Sequence, residues 1–437
     1  MTDPIQQAFE HYNAGRLDEA ARLARAALAR GPASPEANHL LGVILFRQGD
    51  LNAAREHLKR ATESPRSTAE MHNNFGAVLN ARGEFDFAAD AFKRAIALKP
   101  DYPWAFNNLG VLYRDLKLPG HAIQAFKRAV ALKPDFAEAK ANLKAAYRDL
   151  IPAWHFTMLH DRRRNDVYEA SIARAVKDRR VLEIGTGTGL LSMLAARSGA
   201  KSVVTCEAVD VIAERAGQII AANGFADRIT IVPKRSTDLL VGRDLPERAE
   251  VLITETFSSN LLDEGIIGTI EHAHEHLLAP NATVLPASAS AFGFLIGGEL
   301  LHDMLFVGRI KGLDLSPFNE FAPRNLAVSL DSMPHEKLSD DSLLMRFDLK
   351  DRHFPLTRRE VTLTGTRSGV CVGVAQWIRI ELDEQTVYDN RPSAEAANAH
   401  WSQLVYRFPK PLQVSPGDTL RVIASHDRTN ISVELAS

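Results

Sequence analysis

The pattern of small, apolar and polar positions changes twice along the chain. Through the first third it repeats every 34 residues: alanines fall at 20, 54, 88 and 122, and again at 27, 61, 95 and 129. Gly42, Gly76 and Gly110 keep the same spacing, as do Gly15, Gly49 and Gly83. The unit is clearest in AEMHNNFGAVLNARGEFDFAADAFKRAIALKPDY (69–102) and PWAFNNLGVLYRDLKLPGHAIQAFKRAVALKPDF (103–136), with earlier copies at 1–34, the degenerate one, and 35–68. A half-unit, AEAKANLKAAYRDL (137–150), follows. After Pro152 the texture becomes apolar strand alternating with helix: RRVLEIG, LLSMLAARSGA, SVVTCEA, VIAERAGQIIAANG, RITIVPK, AEVLITET. From about Pro286 it changes again, to strands such as GVCVGVAQWIRIEL (369–382), DTLRVIASHD (418–427) and ISVEL (431–435), whose alternation and regular turns predict an antiparallel barrel or sandwich.

The 34-residue unit resembles the tetratricopeptide repeat, a helical hairpin whose small residues let two helices pack closely and whose Pro100 or Pro134 closes the unit. The half-unit then predicts a capping helix over the last apolar face. Such an array offers a concave surface to a peptide or protein. Asn73, Asn74, Asn107 and Asn108 lie on first helices, where they either meet an extended ligand or bridge neighbouring helices. Repeats alone specify no partner.

Composition narrows the class without choosing a function. With 437 residues, 45% hydrophobic and 24% charged, the chain suits two or three globular domains rather than disorder. A net charge of −2 gives no global pull toward nucleic acid or membrane. Nothing in MTDPIQQAFE predicts a secretory signal, and no apolar run approaches the ~18 residues of a membrane span. Cys206 and Cys371 make neither a disulfide framework nor a metal set. His272, His274 and His276 share a predicted helix, but no acidic or cysteine partner accompanies them, so no metal is expected. A cytoplasmic protein is the expectation.

Candidate chemistry begins at RRVLEIGTGTGLLSML (179–194), an apolar strand, a glycine turn and a helix. Gly185, Gly187 and Gly189 give G-x-G-x-G, and Leu190 stands where a dinucleotide fingerprint would need its last glycine. Glycine there lets a ligand lie against the backbone beside free helix N–H groups. Glu207 ends the next strand, where a carboxylate can accept ribose hydroxyls. The strand–helix order is that of a class I S-adenosylmethionine methyltransferase. Glu183 either touches the methionine portion of that cofactor or orders the turn.

The stretch TETFSSNLLDEG (254–265) narrows the class further. With Glu255 and Glu264 at its ends, it resembles the double-glutamate loop of the protein arginine N-methyltransferases. WHFTMLHDRRRN (154–165) resembles that family's cofactor-covering helix, and AHWSQLVYRF (399–408) its Thr-His-Trp loop with Ala399 in place of Thr. KRSTD (234–238) and LLDEGIIGTIEHAHEHLL (261–278) look most like the diverged branch that carries tetratricopeptide repeats. The resemblance implies an all-α repeat superhelix (1–150), a Rossmann-like S-adenosylmethionine-binding domain (151–285) and an antiparallel β-barrel domain (286–437) for substrate and dimer contacts. It implies that Glu255 and Glu264 hold the substrate guanidinium, with His400 and Asp161 as a proton relay. Arg164 would pair with the cofactor carboxylate, Ser236 and Thr237 would lie near the adenine, and Met158 and Trp401 would shape the substrate pocket. Family members dimerise through an arm, and ELLHDMLFVGRIKGLDLSPF (299–318), with helical spacing, is either that arm or an internal packing element. Asp263 is expected to cap the helix that follows it. The rivals are a methyltransferase of another amine or small molecule and a repeat scaffold that binds the cofactor without turnover.

Overall fold

The 34-residue period becomes helical hairpins. In the computed structural model, which describes residues 4–151, 154–393 and 401–436, the chain divides into two compact units, Met1–Ala153 and Trp154–Ser437. The first contains α1 (Pro4–Asn13), α2 (Leu17–Arg30), α3 (Pro35–Arg47), α4 (Leu51–Thr62), α5 (Ala69–Ala81), α6 (Phe85–Leu98), α7 (Pro103–Asp115), α8 (Pro119–Leu132) and α9 (Ala137–Leu150). Local chemistry starts these helices where the pattern changes. Ser34 and Thr68 accept the N–H of Ala37 and Met71, and Pro35, Pro103 and Pro119 stand in first turns, where no N–H is needed.

The repeating glycines mark close approach. A Cβ at Gly76 would lie 2.7 Å from Cε1 of Phe92, and one at Gly110 2.5 Å from Cε1 of Phe126. Both rings are fully buried, which stabilises each hairpin by about 1.5–3 kcal/mol per ring. The asparagines run between repeats: Asn142 donates to Asn107 (3.0 Å), Asn108 to Asn73 (2.9 Å) and Asn74 to His39 (2.8 Å). Each bond joins residues 35 apart, so consecutive first helices are tied at matching heights.

The second unit opens with α10 (Trp154–His160) and α11 (Arg162–Ala175), then a parallel sheet. Its strands are β1 (Arg180–Ile184), β2 (Ser202–Cys206), β3 (Ile229–Val232), β4 (Ala249–Thr254) and β5 (Leu278–Leu285), in the order β3-β2-β1-β4-β5. The connecting helices are α12 (Leu190–Arg197), α13 (Asp210–Ala222) and α14 (Ile266–His272), the last continuing into a wider turn over Ala273–Leu277. The central strands β1 and β4 are buried at every position but Arg180 and Glu250, as a sheet covered on both faces requires. Strand order reverses between β1 and β4, which places a ligand crevice beyond their carboxyl ends.

Beyond β5 the strands become antiparallel. β6 (Ser288–Gly297) pairs with the strand Gly369–Glu381, which pairs in turn with Gln403–Val414. A second sheet joins Arg358–Thr364, Thr419–His426 and Ile431–Leu435. The two halves share one core: Leu182, Val251 and Ile253 belong to the same buried cluster as Ala289, Val374, Ile378 and Val422. The helix predicted over 299–318 is shorter than expected. Only Glu299–Leu305 is α-helical; beyond it Arg309–Ile310 pairs with Leu313–Asp314 across a turn in which Lys311 and Gly312 take φ of 49° and 85°, and a 3₁₀ stretch, Ser316–Phe321, follows. Left-handed backbone at two successive residues ends any helical run. No helix among the described residues is long and apolar enough to cross a membrane.

Candidate active site

The glycine turn after β1 is pressed onto the protein at two points and open at a third. Gly185, Gly187 and Gly189 all take left-handed φ, of 89°, 52° and 80°. A Cβ at Gly185 would come within 2.9 Å of Thr256, and one at Gly189 within 2.8 Å of Ile220, whereas one at Gly187 would meet nothing within 4 Å. Glu207, half-buried just past β2, accepts the N–H of Gly187 (3.2 Å) and of Val209 (3.1 Å). Glu183 lies beneath the turn. It accepts Thr205 Oγ1 (2.9 Å) and Ser192 Oγ, so it ties β1 to β2 and to α12. Burial pushes its carboxyl up to about 7 despite those two donors. Both donors belong to the elements that flank the turn. Ser236 is buried at the start of a short 3₁₀ turn, and Thr237 beside it is exposed.

A charged cluster stands opposite. Asp161 begins α11, accepting the backbone N–H of Arg164 (2.9 Å) and the hydroxyl of Tyr388. Arg164 is only 3% exposed, and its guanidinium donates to Glu255 at 2.6 Å and to Asn165 at 2.7 Å while lying over the ring of Tyr168. Burial opposes its charge, yet the Glu255 carboxylate more than offsets this and holds it above its usual value. One of its donors, Nε–H, is buried without a protein acceptor among the described residues. A buried guanidinium with a spare donor beside an open glycine turn fits a ligand that brings its own carboxylate, as S-adenosylmethionine does.

Between β4 and α14 runs the loop that begins at Glu255 and ends at Glu264. Glu264 is exposed on this loop. Its carboxyl is nonetheless pushed up to about 7, first by the protein around it and then by the charges of Glu255 and Asp263. Asp263 does not cap α14: Gly265, at φ 74°, occupies the cap position without any side-chain bond, because a left-handed entry leaves Asp263 turned to solvent. Trp401 is buried; its indole N–H donates to the carbonyl of Phe257 (3.1 Å), and its ring meets Tyr388 edge-on. Met158 is half-buried on α10. His400, expected beside Asp161, lies outside the described residues. The pair of rings at His272 and His276 is 4.7 Å apart on α14 and its continuation.

Sequence reasoning missed Tyr168 and Tyr388. The first stands four residues after Arg164 on one helix, a spacing that could have revealed it. The second acts across 227 positions of chain and left no local sign.

Comparison with known proteins adds relatives to this geometry. Family models described as tetratricopeptide repeats match residues 5–68, 76–116 and 105–136, and one described as ribosomal protein L11 methyltransferase (PrmA) matches 169–285. An arginine N(omega)-methyltransferase of Streptomyces achromogenes subsp. streptozoticus is 36% identical over 272 residues, 62% of this chain and 75% of the relative. Protein arginine N-methyltransferase 7 of Drosophila grimshawi is 30% identical over 318 residues; the match takes in 63% of this chain but only 45% of that relative. Among solved structures, the Trypanosoma brucei PRMT1 enzyme–prozyme complex with AdoHcy superposes with a TM-score of 0.57 at 23% identity, over 65% of this chain and 92% of that one. Arabidopsis thaliana protein arginine methyltransferase 10 gives 0.53 at 20% identity, over 64% and 91%. At such identities the structural likeness is one of fold.

Proposed function

The chain belongs to the protein arginine N-methyltransferase family, and from that premise we propose that it methylates guanidinium nitrogens of arginine in protein substrates, with the repeats recruiting the substrate or a partner. The observation that carries the reading is the placement of two carboxylates on one loop after β4, the first of them braced by a buried arginine.

S-adenosylmethionine, the cofactor of this fold, supplies an electrophilic methyl group when bound. We assign its holding to Arg164, the turn at Gly185, Gly187 and Gly189, Glu207 at the ribose, and Ser236 and Thr237 on the adenine side, with Glu183 supporting the turn. A substrate guanidinium is protonated at any physiological pH, its pKa lying above ~12, so one nitrogen must be made to present a lone pair. Glu255 and Glu264 would accept its N–H bonds on two sides and draw positive charge toward the nitrogens they hold. Arg164 fixes Glu255 by taking one of its oxygens. Glu264, half-protonated near pH 7, would lose its proton as the cation enters, because an opposite charge reverses the repulsion that raised it. Asp161 and His400 remain the proposed proton relay, and Tyr388 donates a hydrogen bond that orients Asp161. Met158 and Trp401 would line the substrate side. We place the protein in the cytoplasm, without membrane or nucleic-acid partners. A homodimer is supported by exposed Leu313, Phe318 and Phe321 on the segment after the helix Glu299–Leu305, and sedimentation showing only monomer would remove it.

Incubation with methyl-labelled cofactor, cell extract and free arginine, followed by mass spectrometry, tests the reading. Label is expected on arginine side chains of proteins, and Glu255→Gln and Glu264→Gln should each lower it at least about a hundredfold. Equal labelling by the variants would remove the mechanism. A second reading, methylation of free arginine, is favoured by the 36%-identical relative whose name specifies arginine rather than protein. Label confined to the free amino acid would establish it over the first.

A further inference from the structure

We infer that Asn260, Gln376 and Tyr406 are positioning residues: Asn260, in the middle of the two-glutamate loop, is clasped by Gln376 and Tyr406 of the antiparallel strands, and this buried clasp fixes the distance between the loop's ends. The inference rests on the methyltransferase reading and extends it to side chains remote from either carboxylate. Asn260 donates to the carbonyl of Ile431 (3.1 Å) and to the hydroxyl of Tyr406 (3.3 Å), and its own oxygen accepts the N–H of Ile431 (2.8 Å). The Tyr406 hydroxyl lies 3.1 Å from Gln376 Oε1 and 3.0 Å from the carbonyl of Ile431, so its single proton has two acceptors. Gln376 closes the circuit by donating to the carbonyl of Ser259 at 3.1 Å.

Three features separate this clasp from ordinary packing. All three side chains are buried, at 6%, 0% and 3% exposure, where an unmatched polar group costs about 1–3 kcal/mol and apolar residues would fill the space without that risk. The bonds fall on the loop at 259 and 260, immediately before Leu261, a buried residue in the left-handed region at φ 84°. That conformation costs a β-carbon-bearing residue roughly 1–2 kcal/mol, and neighbouring bonds must hold it. Finally, Arg164 secures the loop's first glutamate, whereas among the described residues no hydrogen bond or ion pair holds the second. A clasp halfway along supplies that constraint, and misplacement by about 1 Å at a site of this kind costs on the order of a hundredfold in rate.

Tyr406→Phe and Asn260→Ala in the full chain test the clasp. Each should lower kcat about tenfold or more while cofactor affinity stays within about twofold. The acid limb of kcat/KM, expected near 7 in the parent because the protein around Glu264 and then the charges of Glu255 and Asp263 raise its carboxyl, should move toward the ordinary carboxylate range as the loop loosens, water enters and the charges drift apart. Amides of residues 257–264 should exchange hydrogen at least about tenfold faster in the variants without any ligand. Val405→Ala, a buried change in the neighbouring cluster, controls for lost stability and should move neither the pH limb nor the loop amides. Variants that resemble Val405→Ala in both readouts overturn the clasp. If the parent methylates no arginine, the functional reading fails, and the exchange rates alone decide whether the clasp holds the loop.

Discussion

A carboxylate can be moved toward neutrality by burial or by like charges, and this molecule uses both within one crevice. Glu183 is raised by burial beneath the glycine turn, while Glu264 is raised by its surroundings together with Glu255 and Asp263. Both bind a proton more tightly in the folded chain than in the unfolded one. Their contribution to stability is therefore fully present below the unfolded value of 4.5 and is lost as pH rises through about 7. The melting temperature of the cofactor-free chain should fall between about pH 5 and 8, and Glu183→Gln should flatten part of that fall. Calorimetry giving the same slope for parent and variant would show that Glu183 is ionised throughout. None of this could be read from the sequence, where Glu183 and Glu264 are two acids among 54 acidic residues. The loop's spacing singled out its two ends, but charge state depends on neighbours that the chain brings from elsewhere.

Among elements, what the sequence discloses is set by how local the cause is. The repeat helices and the strand–helix order of the crevice follow from periodicity within a few dozen residues, and both were legible. The glycine positions gain a sharper meaning from packing. Gly110→Ala should destabilise the repeat unit by about 1–3 kcal/mol, because Phe126 is fully buried and has no room to withdraw. Gly120→Ala, in the first turn of α8 with nothing within 4 Å, should instead stabilise by up to about 1 kcal/mol. Urea midpoints followed by helical circular dichroism distinguish the two, and equal shifts would deny the close approach. The segment 299–318 misled because its apolar spacing is helical while its glycines and turn are not. The clasp was invisible for another reason: Gln376 reaches Ser259 across 117 positions, and no window of sequence spans such a pair.

At the scale of the whole molecule the division is between repeats and everything after them. The change of texture near 286 marks a change of sheet type within one shared core, whereas the boundary near 153 separates two compact units. Removing residues 1–153 should leave cofactor affinity within about twofold while lowering methylation of protein substrates, as expected if the repeats recruit. Unchanged protein methylation by the shortened chain would end the recruitment idea.

The asparagine bonds between repeats carry a consequence for copy number. Each joins a residue to one 35 positions on, and the array advances by 34, so the hairpins at 69–102 and 103–136 carry the same pair of amides at equivalent positions. Deleting residues 69–102 would bring Asn108 to the place now held by Asn74, facing His39, with Asn107 in the place of Asn73. The ladder would close again one rung shorter. Gain or loss of a hairpin is thus a change of length that leaves each remaining junction intact, and the reach of the array can vary while the crevice is left alone.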